Sequence, residues 1–141
     1  MKINKAHATW EGNLKKGTGE MGFEESKTNF PFSFKSRFEE GEGANPEMLI
    51  GAAHAGCFSM AFSNMLSEAG YEPEKVATTA EVKLDSVDGG FRITGSHLVV
   101  QAVVPGISEE KFFEIAEQAK VGCPVSQALS AIDVSMEATL L

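Results

Sequence analysis

Two cysteines, Cys57 and Cys123, are the residues whose type most directly offers chemistry. A thiolate is a nucleophile and a two-electron reductant, so one sulfur can take an oxidant and a second can then close a disulfide with it. In a reducing compartment an isolated cysteine pair is seldom structural; catalytic or redox-sensing use is commoner. Two unrelated buried thiols satisfy the same count, because a free cysteine also packs as a small apolar side chain.

The local settings of the two differ. Cys57 lies in Gly51-Ala52-Ala53-His54-Ala55-Gly56-Cys57-Phe58, a run of small and apolar residues. Burial disfavours the thiolate, so a reactive Cys57 needs a nearby cation. Arg37 is one candidate, and His54, three residues earlier on the same helical face, is another. Taken alone, Cys57 reads as a core thiol. Cys123 precedes Pro124 at what reads as a helix N-terminus, where unpaired N–H groups and the helix dipole favour a thiolate. A metal site at His54, Cys57 and Cys123 is a third reading. It has no second compact ligand pair of the kind structural zinc sites use. A Cys–His protease dyad lacks any placeable oxyanion donors.

The elements around these residues follow from periodicity and caps. Residues 2–11 and 14–24 read as a hairpin, and Phe30, Phe32 and Phe34 alternate as strand residues do. Glu39-Glu40-Gly41-Glu42-Gly43 is an acidic, glycine-rich loop. Asn45-Pro46-Glu47 marks a helix start: a favoured N-cap, a proline at the first position and an acid at the positive dipole end. That helix runs to about Ala69, with Gly70 as a left-handed stop. Its apolar and small residues occur all round, which predicts burial on most sides and favours a homodimer to cover it. A strand through Val76, Ala80, Val82 and Leu84 turns at Asp88-Gly89. It returns along residues 91–104, where Leu98-Val99-Val100 predicts burial on both faces. Ser108 caps a helix with Phe112, Ile115, Ala116 and Ala119 on one stripe, ending at Gly122. A short helix from Cys123-Pro124 to about Ala131 and a strand through Val134, Met136, Ala138 and Leu140 complete the chain. The sum is one α+β domain over residues 1–141 with a long central helix.

Composition removes other functions. The net charge is −8, from 20 acidic and 12 basic side chains, which opposes nucleic-acid binding. Met48 to Ser67 carries no charged residue, yet its His, Asn, Ser and Gly content favours a core helix over a membrane span. The polar N-terminus shows no signal peptide, and a cytoplasmic protein is expected.

At this length of motif the chain resembles a known family. The segment Ala44-Asn45-Pro46-Glu47 through Gly51-Ala52-Ala53-His54-Ala55-Gly56-Cys57-Phe58-Ser59-Met60-Ala61 is similar to the central helix of the OsmC/Ohr organic hydroperoxide reductases. Gly122-Cys123-Pro124-Val125-Ser126 resembles that family's second cysteine motif, and Lys35-Ser36-Arg37-Phe38-Glu39 matches the arginine segment of its OsmC branch. Ala8-Thr9-Trp10-Glu11-Gly12 and Val82-Lys83-Leu84-Asp85 extend the likeness along the chain. Residues 1–36 contain no arginine, which separates the chain from the Ohr branch.

The resemblance implies an OsmC-like fold of antiparallel sheets packed on a long buried central helix, in an intertwined homodimer. It implies an activity, reduction of organic hydroperoxides in preference to hydrogen peroxide, with no metal, haem or flavin. Cys57 would attack the distal peroxide oxygen and become a sulfenic acid, and Cys123 would condense with it to a disulfide. An external dithiol, lipoyl-type in the family, would re-reduce that bond. Arg37 would lower the Cys57 pKa and polarise the O–O bond, and Glu47 would hold the guanidinium by a bidentate pair. His54 matches the family motif but reads as packing. Phe30, Phe32, Phe58 and Met60 read as lining for an apolar pocket.

The order of attack is a contest of magnitudes. A helix dipole contributes about 0.3–2 kcal/mol, whereas an opposite charge in contact lowers a pKa by about 1–3 units, or about 1.4–4 kcal/mol. An arginine that reaches Cys57 can outweigh the dipole, so Cys57, where the resemblance places the attacking sulfur, is expected to react first. The rival function is a non-catalytic stress-response binding protein with an apolar pocket and redox-sensitive cysteines.

Overall fold

Every turn and cap expected from the sequence needs a partner element, and a computed structural model describing all residues from Met1 to Leu141 supplies them. The chain divides into two compact units, Met1–Leu49 and Ile50–Leu141, with the division inside the long helix.

In the first unit, β1 (Ala6–Glu11), β2 (Thr18–Phe23) and β3 (Asn29–Phe32) form an antiparallel sheet in that order. Trp10 pairs with Gly19, which in turn pairs with Phe32. The Trp10 and Phe32 rings meet over that glycine, 5.2 Å apart between centroids. A Cβ on Gly19 would fall 2.5 Å from the Phe32 ring, so the absent side chain is what admits the pair. Phe34 departs from the expected alternation. It opens a five-residue helix, α1 (Phe34–Phe38), because Ser33 and Ser36 form a reciprocal capping box that the Phe-x-Phe-x-Phe pattern conceals.

The long helix α2 (Pro46–Glu68) starts where expected, with Asn45 Oδ1 accepting from the Met48 N–H at 2.8 Å. Gly70, at φ +93, follows its end in the left-handed conformation. By length and composition α2 is apolar enough to cross a membrane. In the second unit it serves as a core helix: Gly51, His54, Phe58, Phe62 and Leu66 are buried along one stripe.

Three strands, β4 (Lys75–Val87), β5 (Gly90–Val103) and β6 (Asp133–Leu140), make the sheet of this unit. Asp88 and Gly89 both have positive φ, as a tight hairpin turn requires. A β-bulge sets Lys83 against Gly95 and Leu84 against Ile93, leaving Thr94 extra. β6 lies parallel to β5, and its crossover runs through α3 (Glu109–Gly122) and α4 (Pro124–Ala128).

Phe58, Phe62, Leu66, Leu98, Val100 and Phe112 are fully buried in one cluster. Each contributes about 1.5–3 kcal/mol of apolar transfer.

One further expectation is corrected here. Val99 is half-buried, since only the face bearing Leu98, Val100 and Ala102 packs on helices. Within this chain α2 is covered on one stripe, where sheet and α3 approach, and Ala52, Ala53, Gly56 and Met60 are exposed, on the faces that the expected homodimer would cover.

Candidate functional site

The two cysteines, 66 residues apart in sequence, meet in the second unit. The Cys123 thiol points at the Cys57 sulfur with 2.9 Å between them, and both are free thiols. Cys57 is partly exposed on α2, whereas Cys123 is fully buried. Burial pushes the Cys57 thiol up, the hydrogen bond and charge of Cys123 push the same way, and the Val125 backbone N–H opposes them.

Cys123 owes its position to Pro124. A residue before proline is disfavoured in the helical region, and Cys123 takes φ −58, ψ 126. It thereby ends α3, donating its N–H to Ala119 O at 2.9 Å, and begins α4. The short helix stops at Ala128, not near Ala131, and has five residues. The field at Cys123 is thus the difference between the negative end of α3 and the positive end of a much shorter helix. The dipole advantage expected for Cys123 is weakened on both counts.

His54 cannot serve as the cation near Cys57. It is fully buried, and burial lowers its pKa, so it is neutral at neutral pH. Its Nδ1 is 2.7 Å from Ser96 Oγ and its Nε2 is 2.8 Å from Ser126 Oγ. With both ring nitrogens engaged, His54 has none to offer a metal ion. Ser96, Ser126 and the Val125 N–H were not singled out by sequence reasoning. Ser126 sits inside the second cysteine motif, but no sequence signal joins it to a histidine 72 residues away.

Arg37 and Glu47 meet in the first unit. Ser36 Oγ donates to Ala44 O at 2.7 Å and Asn45 Nδ2 donates to Ser36 O at 2.8 Å, tying the end of α1 to the start of α2. Arg37 Nη2 then donates to Glu47 Oε1 at 2.9 Å. The expected bidentate pair is a single bond, and Arg37 Nε and Glu47 Oε2 are buried without partners. The guanidinium carbon lies 5.4 Å from the Phe38 ring centroid, within cation–π range. Arg92, the other arginine, is exposed near the β4–β5 turn.

Of the expected pocket residues, Phe32 lines a cavity of about 210 Å³ with Trp10, Leu14, Phe34, Arg37 and Phe38. Phe58 is instead core, Phe30 stacks edge-on against Phe23, and Met60 is exposed. The cavity is apolar but for Ser33 and one cation, Arg37.

Comparison with known proteins places these residues in a family. Residues 39–137 match the model of the OsmC-like proteins. The chain is 52% identical over 128 residues, 90% of each chain, to the peroxiredoxin OsmC of Escherichia coli. It is 30% identical to the organic hydroperoxide resistance protein OhrB of Bacillus subtilis, over 84% of this chain and 88% of that one. The crystal structure of OhrB superposes with a TM-score of 0.77 at 28% identity, covering 96% of this chain and 98% of the other. A helix carrying one cysteine, a second cysteine brought to it by the α3–α4 break, and an identity of this extent lead to one conclusion: the chain belongs to the OsmC-like protein family.

Proposed function

We infer that the chain is a thiol-dependent peroxidase that reduces organic hydroperoxides to alcohols. The observation that carries this reading is the contact of two free thiols of unequal exposure, 2.9 Å apart. A peroxide must reach the sulfur it oxidises, so the partly exposed Cys57 attacks and the buried Cys123 follows. The Cys57 thiolate takes the distal oxygen, the O–O bond breaks, and the departing alkoxide takes a proton to become the alcohol. The Cys123 sulfur then attacks the Cys57 sulfenic acid: the S–S bond forms, the S–O bond breaks, and hydroxide leaves with the thiol proton as water. An external dithiol, of lipoyl type by family resemblance, returns both thiols by exchange.

Arg37 supplies the positive charge that offsets the burial penalty on the Cys57 thiolate, and Glu47 aims it. The charge-assisted Arg37–Glu47 bond supports the role of Glu47, and the role of Arg37 toward Cys57 follows from the family resemblance. A preference for organic over hydrogen peroxide is what the family resemblance implies. The names of the relatives, a peroxiredoxin and an organic hydroperoxide resistance protein, point the same way. The family match crosses the division between the two units, which supports treating residues 1–141 as one OsmC-like domain. The open small-residue stripe of α2 (Ala52, Ala53, Gly56) supports a homodimer. We place the protein in the cytoplasm, where a reduced thiol pair persists.

Single-turnover oxidation with cumene hydroperoxide and with hydrogen peroxide, followed by mass mapping, tests the scheme. Rapid loss of both thiols, a Cys57–Cys123 bond and a faster organic reaction are expected. Slow oxidation by both peroxides would leave only a redox-sensitive binding protein.

A further inference from the structure

Condensation of two sulfurs is decided by placement. The sulfurs must close from 2.9 Å to a bond of about 2.05 Å, with the attacking thiol in line with the breaking S–O bond. The element carrying Cys123 is ill suited to hold that line by itself. α4 has five residues, far below the length at which a helix is stable alone, and its N-cap makes no side-chain bond.

Beside the packing of Cys123 and Val125 on the core, α4 has one buried residue, Ser126. Ser126 Oγ is bound to His54 Nε2, and His54 Nδ1 is bound to Ser96 Oγ. Ser96 stands on the core face of β5 beside Leu98, Val100 and Ala102, on the most completely buried strand of the sheet. A chain of two hydrogen bonds therefore runs from the sheet, through the helix bearing Cys57, to the helix start bearing Cys123. The spacing is matched on both sides: His54 precedes Cys57 by three residues and Ser126 follows Cys123 by three. Three links thus join α2 to the start of α4: the sulfur contact, the Val125 N–H on the Cys57 sulfur and, one turn away, the His54–Ser126 bond.

The sulfur contact does not survive the first chemical step, because an oxygen is added to Cys57. The His54–Ser126 bond does survive it, since neither imidazole nor hydroxyl is oxidised. We propose that the Ser96–His54–Ser126 chain is a latch that keeps Cys123 in line with the Cys57 sulfenic acid, setting the balance between disulfide closure and over-oxidation. His54 and Ser126 are positioning residues in this scheme, and the inference rests on the peroxidase reading above. A loosened α4 leaves the sulfenic acid open to a second hydroperoxide, which would carry it to the irreversible sulfinic acid.

The test is a quenched time course of the reduced full-length protein with cumene hydroperoxide. Dimedone trapping counts Cys57 sulfenic acid, and mass spectrometry counts the disulfide and the sulfinic acid. In Ser126→Ala the ratio of the closing rate to the first-oxidation rate falls about 10–100-fold, the scale of a misplacement near 1 Å. Sulfinic acid then accumulates under excess peroxide, and Ser126→Thr, which keeps the hydroxyl, restores the ratio. A merely structural role would lower thermal stability and slow both steps together. An unchanged ratio in Ser126→Ala, or no rescue by Ser126→Thr, overturns the latch. Should Ser126→Ala fail to fold, Ser96→Ala must show the same split, and a parental ratio there overturns the latch instead. Failure of the parent chain to oxidise Cys57 at all sinks the peroxidase reading; a parent that closes its disulfide no faster than Ser126→Ala sinks only the latch.

Discussion

Ser126 Oγ sits 2.8 Å from His54 Nε2, so the helix start that carries Cys123 is bound to the helix that carries Cys57 by something other than sulfur. The cysteine pair therefore works inside a polar framework that oxidation leaves intact, and the two thiols can be separated experimentally without dismantling it.

Cys57→Ser should abolish hydroperoxide turnover. Cys123→Ser should still consume one equivalent of peroxide and stop at a trappable sulfenic acid. Thiol titration and mass mapping of each variant check this. Retained turnover in Cys57→Ser, with loss of the first oxidation in Cys123→Ser, would reverse the assignment.

Arg37→Ala should slow the first oxidation at neutral pH by about 10–1000-fold, the span for losing an opposite charge in contact with an ionised group, while Arg37→Lys retains part of the rate. The same Arg37→Ala change strands the buried Glu47 carboxylate, whose side chain is only 8% exposed. It should cost about 1–3 kcal/mol in urea unfolding. An Arg37→Ala protein of parental rate would remove Arg37 from the mechanism.

His54 gives stability a definite pH sign. Burial lowers its folded pKa below the ordinary 6.5, so the unfolded chain binds the proton more readily. The contribution is complete above pH 6.5 and is lost as pH falls below that value toward the folded pKa. Urea midpoints at pH 8, 7, 6 and 5 should show a decline that is shallower in His54→Gln. Parallel curves for the two proteins would contradict the assignment.

Phe62 joins Phe58 and Phe112, with ring centroids 5.5 and 5.3 Å away, and is fully buried. Phe62→Ala should destabilise the protein by about 3–5 kcal/mol. A shift in the unfolding midpoint under a third of that size would mean the core collapses into the cavity.

The features legible in the sequence were those with local causes. Asn45-Pro46, Gly70, Asp88-Gly89 and Ser108 each act on the backbone within a few residues, and each marks the boundary expected of it. The α1 helix was hidden because its capping box uses Ser36 where a carboxylate would have signalled it, amid phenylalanines spaced like a strand. The parallel pairing of β6 with β5 has no local signature, since it depends on the crossover through α3 and α4. The cysteine pair was legible by residue type. The bonds of His54 to Ser96 and Ser126 were not, because they span 42 and 72 residues between ordinary-looking polar side chains.

Asn45 spends both ends of its amide: Nδ2 donates to Ser36 O, and Oδ1 accepts from the Met48 N–H. Conversion to aspartate would keep the second bond and set an anion against a carbonyl in the first. The usual route to that conversion is attack on the side-chain amide by the backbone N–H of the following residue, and Pro46 has none. The proline that begins the helix therefore also protects the asparagine before it from chemical ageing, and with it the joint that sets Arg37 against Glu47.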